Sequence, residues 1–263
     1  MNKIFLFFFL ISLFFSSEKT SKVTRGETLT YKVMFLGFNA GEAKMIIDGD
    51  FYPITNSTTY KVDVYGKSVG IFDLFTTVRD NWGVYLDTGS LKPIKFYQYL
   101  LEGNYKKNEI LNFTLNSDSI EIIRLDKVSK LPIESYNLHF EDDIKKIIRS
   151  YFMNYWIASV VYLRSLDYSN ISSDSNISIP YFENNEKFDY KMKFLRREMI
   201  KTDIGEINAL VFAPKIPENK LFKGEEAVKF WLSDDINNVP LKLSAKMNFG
   251  TFEIEISDYS NIN

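Results

Sequence analysis

The sequence predicts a mainly β protein: an antiparallel meander curled into a barrel or half-barrel, with one long helix inserted between two β halves. Three observations carry this. Apolar and polar residues alternate with period two from Glu27 onward. Turn-forming residues punctuate those runs at short intervals. One stretch alone, from Glu141 to about Leu166, switches to helical spacing.

In "ETLTYKVMF", Leu29, Tyr31, Val33 and Phe35 fall on one face, with Thr28, Thr30 and Lys32 on the other. "LGFNAGEA" supplies turn chemistry and "AKMIID" returns as a second strand. The runs "YKVDVYG", "FDLFTTVRD", "WGVYLD", "IKFYQYLLEG", "EILNFTL" and "SIEIIRL" follow, divided by turns such as "DTGS" and "NSDS". Short strands at this spacing describe a meander that curls.

The helix is expected from about Asp142 to Leu166. Acids open it, which suits a helix N-terminus, and Ile144, Ile147, Ile148, Tyr151, Phe152 and Tyr155 recur at helical spacing. From Trp156 to Leu163 it is apolar almost all round and so expected to be buried, with Arg164 near its end. "NISSDSNIS" reads as a loop. Strand character resumes in "KFDYKMKFLRREMIKT", "GEINALVFAP", "AVKFWLS", "VPLKLSAKMNFG" and "TFEIEIS". No linker divides the plan, so residues 18–263 read as a single β-rich domain.

Residues 1–17 read as a secretory signal. Lys3 precedes an apolar run from Ile4 to Phe15, and the run is too short for a comfortable membrane span. An uncleaved anchor is the alternative, because the residue three before the cut is bulky. Either way the expected location is outside the cytoplasm, in the periplasm, with anchoring at the inner membrane if the signal stays. The mature chain itself is expected to hold no membrane span.

Composition narrows the chemistry. A formal net charge of −2 lacks the basic footprint of a nucleic-acid binder. With no cysteine there is no disulfide and no thiolate nucleophile or metal ligand. His139 is the single histidine, and no serine elbow accompanies it, which disfavours a Ser-His-Asp hydrolase. Aromatics reach 16%, which fits a pleated half-buried core as well as AT-rich coding.

The adjacent Asp234 and Asp235 in "FWLSDDINNVPLKL" stand among turn formers, where an aspartate accepts backbone N–H bonds and holds a hairpin. That reading outweighs a metal or acid–base role. "WLSDDINNVPLKLSAKMNFG" resembles the hallmark of the exported bacterial family known as domain of unknown function 3108. "GETLTYKVMFLGFNAGEA" resembles the family's opening motif. "VRDNWGVYLD" with Asp80 and Asp87, "LEGNY" with Glu102, "VVYLRSLD" with Tyr162 and Arg164, and "IKTDIGEINAL" follow in the same order. Where the family often has a basic residue after the paired aspartates, "INN" has none, which argues against an ion pair within that loop. The resemblance implies an exported β-rich fold without an established activity.

Three functional readings follow. The first is a binding or carrier module for an apolar or lipid-like ligand. The second is a structural component of an envelope complex, with a protein partner. The third, and weakest, is a carboxylate hydrolase drawing on Asp80, Asp87, Glu102, Asp234 and Asp235. Candidate binding residues are Asp80, Glu102, Tyr162, Arg164, Trp231, Asp234 and Asp235. No catalytic residue, metal ligand or cofactor is assigned.

Overall fold

The computed structural model describes residues 23–113, 119–139, 156–173, 175–183, 186–215, 222, 224 and 226–262. The expected signal and residues 142–155 of the expected helix lie outside them.

The N-terminal half supplies β1 (Thr28–Phe35), β2 (Phe38–Ile54), β3 (Ser57–Ser68), a one-and-a-half-turn helix α1 (Gly70–Phe75), β4 (Arg79–Asp87), β5 (Pro93–Glu102), β6 (Tyr105–Phe113), β7 (Ser119–Leu125) and β8 (Pro132–His139). Helical backbone over residues 156–165, here α2, precedes the C-terminal half. That half comprises β9 (Asn176–Glu183), β10 (Glu186–Thr202), β11 (Gly205–Pro214), β12 (Val228–Ser233), β13 (Pro240–Met247) and β14 (Gly250–Ser260).

All fourteen described strands form one antiparallel sheet in the order β8-β7-β6-β5-β4-β3-β2-β1-β14-β13-β12-β11-β10-β9. Every neighbouring pair is consecutive in the chain except β1 and β14, which zip the two halves together from Thr28 opposite Ser260 to Phe35 opposite Phe252. The sheet is not closed: among the described residues β8 and β9 are its two ends. Nor is it flat. Lys32 of β1 forms an ion pair with Asp203, in the turn after β10, although five strand steps separate β1 from β10. On a flat sheet those steps would span ~24 Å. Bulges, as between Thr30 and Tyr31 and between Ile47 and Phe51, tighten the local twist.

The period-two pattern decides which face is buried. Leu29 and Tyr31 of β1, Val62 and Val64 of β3, Val84 and Leu86 of β4, and Phe96 of β5 turn to one side. There they share an apolar cluster with Ala209, Val211 and Trp231 from the other half and with Ile157, Ala158 and Val161 of α2. A second cluster gathers Leu163, Tyr168, Phe194, Leu210, Phe212 and Leu232. Val160 packs against both. The expected burial from Trp156 to Leu163 holds for Ile157, Ala158, Val161 and Leu163, whereas Ser159, Val160 and Tyr162 are half-buried and Trp156 is exposed.

Two local readings are corrected. "FDLFTTVRD" does not form a continuous strand; it folds as α1 followed by β4 from Arg79. Asp73 accepts from Ser68 Oγ and from both terminal nitrogens of Arg79, which turns the chain back on itself. That clasp joins residues outside the local alternation, so periodicity could not show it. "NISSDSNIS" is not loop throughout, because β9 begins at Asn176 and pairs with Lys193 of β10.

Candidate functional site

Three of the segments singled out in the sequence meet at one buried point. Glu27 sits just ahead of β1, fixed by backbone bonds on either side: Gly26 N–H donates to Ile47 O and Ile47 N–H to Glu27 O. Gly26 takes φ +80° here, a conformation open to glycine. Arg164, near the end of α2, is wholly buried and donates from both terminal nitrogens to the two Glu27 carboxylate oxygens, at 2.5 and 2.7 Å. Asn238 donates its amide to the carbonyls of Arg164 and Leu166, at 2.9 and 2.8 Å. Those are carbonyls that a helix end leaves without intrahelical partners. Tyr31, beside the pair, donates its hydroxyl to Pro240 O. Burial pushes that phenol well above its usual range, against the pull of the Arg164 charge.

The paired aspartates divide their work. Asp235 Oδ1 accepts from Ser233 Oγ and from the backbone N–H groups of Asn237 and Asn238 at 2.8, 2.8 and 3.1 Å, which holds the β12–β13 loop and presents Asn238. Asp234 has a different task. Its carboxylate pairs with Arg197 of β10 at 2.9 Å, and Arg197 also donates to Tyr168 O. The turn reading therefore fits Asp235, while Asp234 carries an ion pair with a base from another strand. The loop's own lack of a basic residue gave no sign of that.

The remaining candidates lie elsewhere. Trp231 is buried and donates its indole N–H to Glu198 at 2.7 Å. Tyr162 is half-buried against the second apolar cluster. Asp80 and Glu102 stand at the opposite end of the sheet from the Glu27–Arg164 pair, where β4 begins and β5 ends. The two carboxyl groups act on one another electrostatically. Burial pushes Asp80 up to about 6, against the Leu101 N–H that it accepts, and the neighbouring Glu102 charge adds to the rise. Asp87 is a turn holder, accepting from Ser90 and Gly89. The structure thus brings Arg164 and Asp235 into one assembly and Asp80 and Glu102 into another. Among the described residues no group of three or more acidic or histidine side chains is arranged to hold a metal.

A further site came from residues that were not singled out. On the face of β3–β6 away from the core, Lys61, Asp63 and Tyr65 lie beside Asn81 and Tyr85, then Lys95, Tyr97 and Tyr99, and line a shallow cleft of about 270 Å³. Asp63 stands in register with Gly83, and Gly83 with Tyr97. The absent side chain lets the Tyr97 ring lie across Gly83 and donate its hydroxyl to Asp63. Lys61 pairs with the other Asp63 oxygen at 2.9 Å. Burial and the Asp63 charge push the Tyr97 phenol far above its usual range. The signal was present as alternation: "YKVDVYG", "NWGVY" and "IKFYQY" each carry polar or tyrosyl residues opposite their core positions. Only register shows that they face one another.

The fold and its buried motif residues define a class of mainly β proteins built on one large open antiparallel sheet. The chain belongs to the family of proteins of unknown function DUF3108, whose model matches residues 29–257. No curated protein matches. Among solved structures, a β-barrel-like protein of domain of unknown function DUF1849 from Brucella abortus is 7% identical, with a TM-score of 0.47, 92% of this chain and 100% of that chain being covered. A protein from Parabacteroides distasonis described as a "putative lipoprotein" is 11% identical, with a TM-score of 0.34 and coverage of 90% of this chain and 96% of that one.

Proposed function

We propose that the protein is an exported binding module of the cell envelope whose ligand is apolar or lipid-like. The observation that supports it is the seat of α2. This helix lies between two apolar clusters of a curled, open sheet, and Val160 touches both. Its first described residue, Trp156, stays partly exposed and packs edge-on against Trp82 of β4, with ring centroids 6.1 Å apart. Phe113 and Tyr136 are half-buried against the same cluster. An acyl chain laid along that border would gain roughly 25 cal/mol for each Å² of apolar surface removed from water, with no specific polar contact. Ile157 and Val161 are fully buried in the core, so the ligand belongs beside α2 rather than under those two residues. Export is part of the proposal and draws on the basic start and apolar run at residues 3–15.

Native mass spectrometry of protein gently recovered from its own host tests this. A lipid-sized adduct is expected, reduced several-fold in Trp156→Ala and Trp82→Ala. Adduct-free protein from every preparation, or an adduct indifferent to both substitutions, defeats the reading.

A further inference from the structure

In an antiparallel meander every second turn falls on the same rim of the sheet. One rim here carries the turns at residues 36–37, 69–78, 103–104, 126–131 and 248–249. These turns bear a disproportionate share of the large apolar side chains left in water. Leu36 lies in the first and Phe38 directly follows it. In α1, which buries no residue, Leu74 and Phe75 are 86% and 81% exposed. Val128 is 82% exposed in the fourth turn, and Phe249 caps the last.

The tips adjoin one another. Phe35 contacts both Phe72 of α1 and Phe249. Gly103 N–H donates to Thr77 O, next to α1. Leu36 occupies φ +52° in a two-residue hairpin, a position where asparagine or glycine is the ordinary choice.

We propose that this rim docks on the surface of an anionic phospholipid bilayer, with Leu36, Phe38, Leu74, Phe75, Val128 and Phe249 entering the headgroup–acyl boundary. Shape points there first. Successive tips are two strands apart, ~10 Å, so the apolar groups form a comb along the sheet's breadth. A yielding lipid surface accepts such a comb, whereas a protein partner needs a compact, complementary patch.

Charge points the same way. Of the acids at this rim, Asp73 is paired with Arg79 and Glu42 with Lys67, Asp126 accepts from the N–H groups of Val128 and Ser129, and Glu102 is exposed beside Asp80. Exposed Lys106, Lys127 and Lys246 beside the tips make no salt bridge among the described residues. Lysines flanking apolar tips suit a surface of phosphates above acyl chains. This surface is separate from the ligand seat beside α2; a chain that carries nothing still docks by it.

The chain has no cysteine, which allows a site-resolved test in the full-length protein. Leu74→Cys, Val128→Cys and Phe249→Cys would each carry a polarity-sensitive fluorophore. Ile236→Cys, exposed on the opposite rim, is the control. Vesicles of phosphatidylethanolamine with phosphatidylglycerol are expected to shift emission of the three rim labels to the blue, several-fold more than phosphatidylcholine vesicles. The Ile236 label should remain in water. Joint substitution of Lys106 and Lys127 by Ala should narrow the difference between the two lipids. Rim labels that stay in water while the chain is vesicle-bound through its N-terminal segment would overturn the proposal. So would a blue shift without lipid that grows with protein concentration, which would assign the rim to a second copy.

Discussion

Arg164 and Glu27 lie 137 positions apart in the sequence, and each guanidinium terminal nitrogen reaches its own carboxylate oxygen with neither side chain exposed to water. The bond ties the end of α2 to the entrance of β1, close to the seam where the two halves of the sheet join.

Removing one partner strands the other charge in the core. Arg164→Met or Glu27→Gln alone is expected to cost about 3–5 kcal/mol in urea unfolding, the usual range for breaking a buried pair. The double variant should recover much of that loss, since the uncompensated charge is gone. Additive single losses would show that the two groups do not act as a pair.

The two adjacent aspartates should separate cleanly. Asp235→Ala loses three hydrogen bonds that hold the β12–β13 loop, so about 1–2 kcal/mol is expected. Asp234→Ala loses an exposed ion pair with Arg197, which contributes about 0–1 kcal/mol and fades with salt. Equal losses, both indifferent to salt, would contradict this division.

Asp80 predicts a pH dependence. Its folded pKa is raised to about 6, so the folded state holds the proton more tightly than the unfolded chain does. The associated stability is complete below the unfolded value of about 4 and is lost as pH rises through 6. Asp80→Asn keeps an oxygen for the Leu101 N–H and cannot ionise. It should flatten the decline in stability between pH 4 and 7, and at pH 7 exceed the parent by on the order of 1–2 kcal/mol. A decline of unchanged slope in the variant would show that another group titrates.

Gly83 gives a packing prediction for the tyrosine cleft. A methyl group there overlaps the Tyr97 ring. Gly83→Ala should therefore cost about 1–3 kcal/mol, as overpacking does, and displace the Tyr97 hydroxyl from Asp63. Tyr97→Ala in the same chain should make the alanine at 83 tolerable. If Gly83→Ala is neutral on its own, the ring has free space and the cleft is looser than its register implies.

The sequence by itself determined the β-rich class, most of the strands, the face each strand buries and the family. These are local properties, because side chains alternate along a strand whatever lies beside it. It also marked Arg164, Asp80, Glu102 and the aspartate pair, but not their tasks. Tertiary structure alone decided that Arg164 meets Glu27, that Asp234 pairs with Arg197, and that Asp80 is buried within reach of the Glu102 charge. The same holds for α1, where a clasp from Asp73 to Ser68 and Arg79 overrides a strand-like pattern. It holds again for the cleft at Tyr97, where Gly83 reads as a gap until register lays a ring across it. The reason is common to all of these. Alternation fixes which way a residue points, while its partner is fixed by strand register, by the roll of the sheet and by the seat of α2, which join residues that local pattern cannot relate.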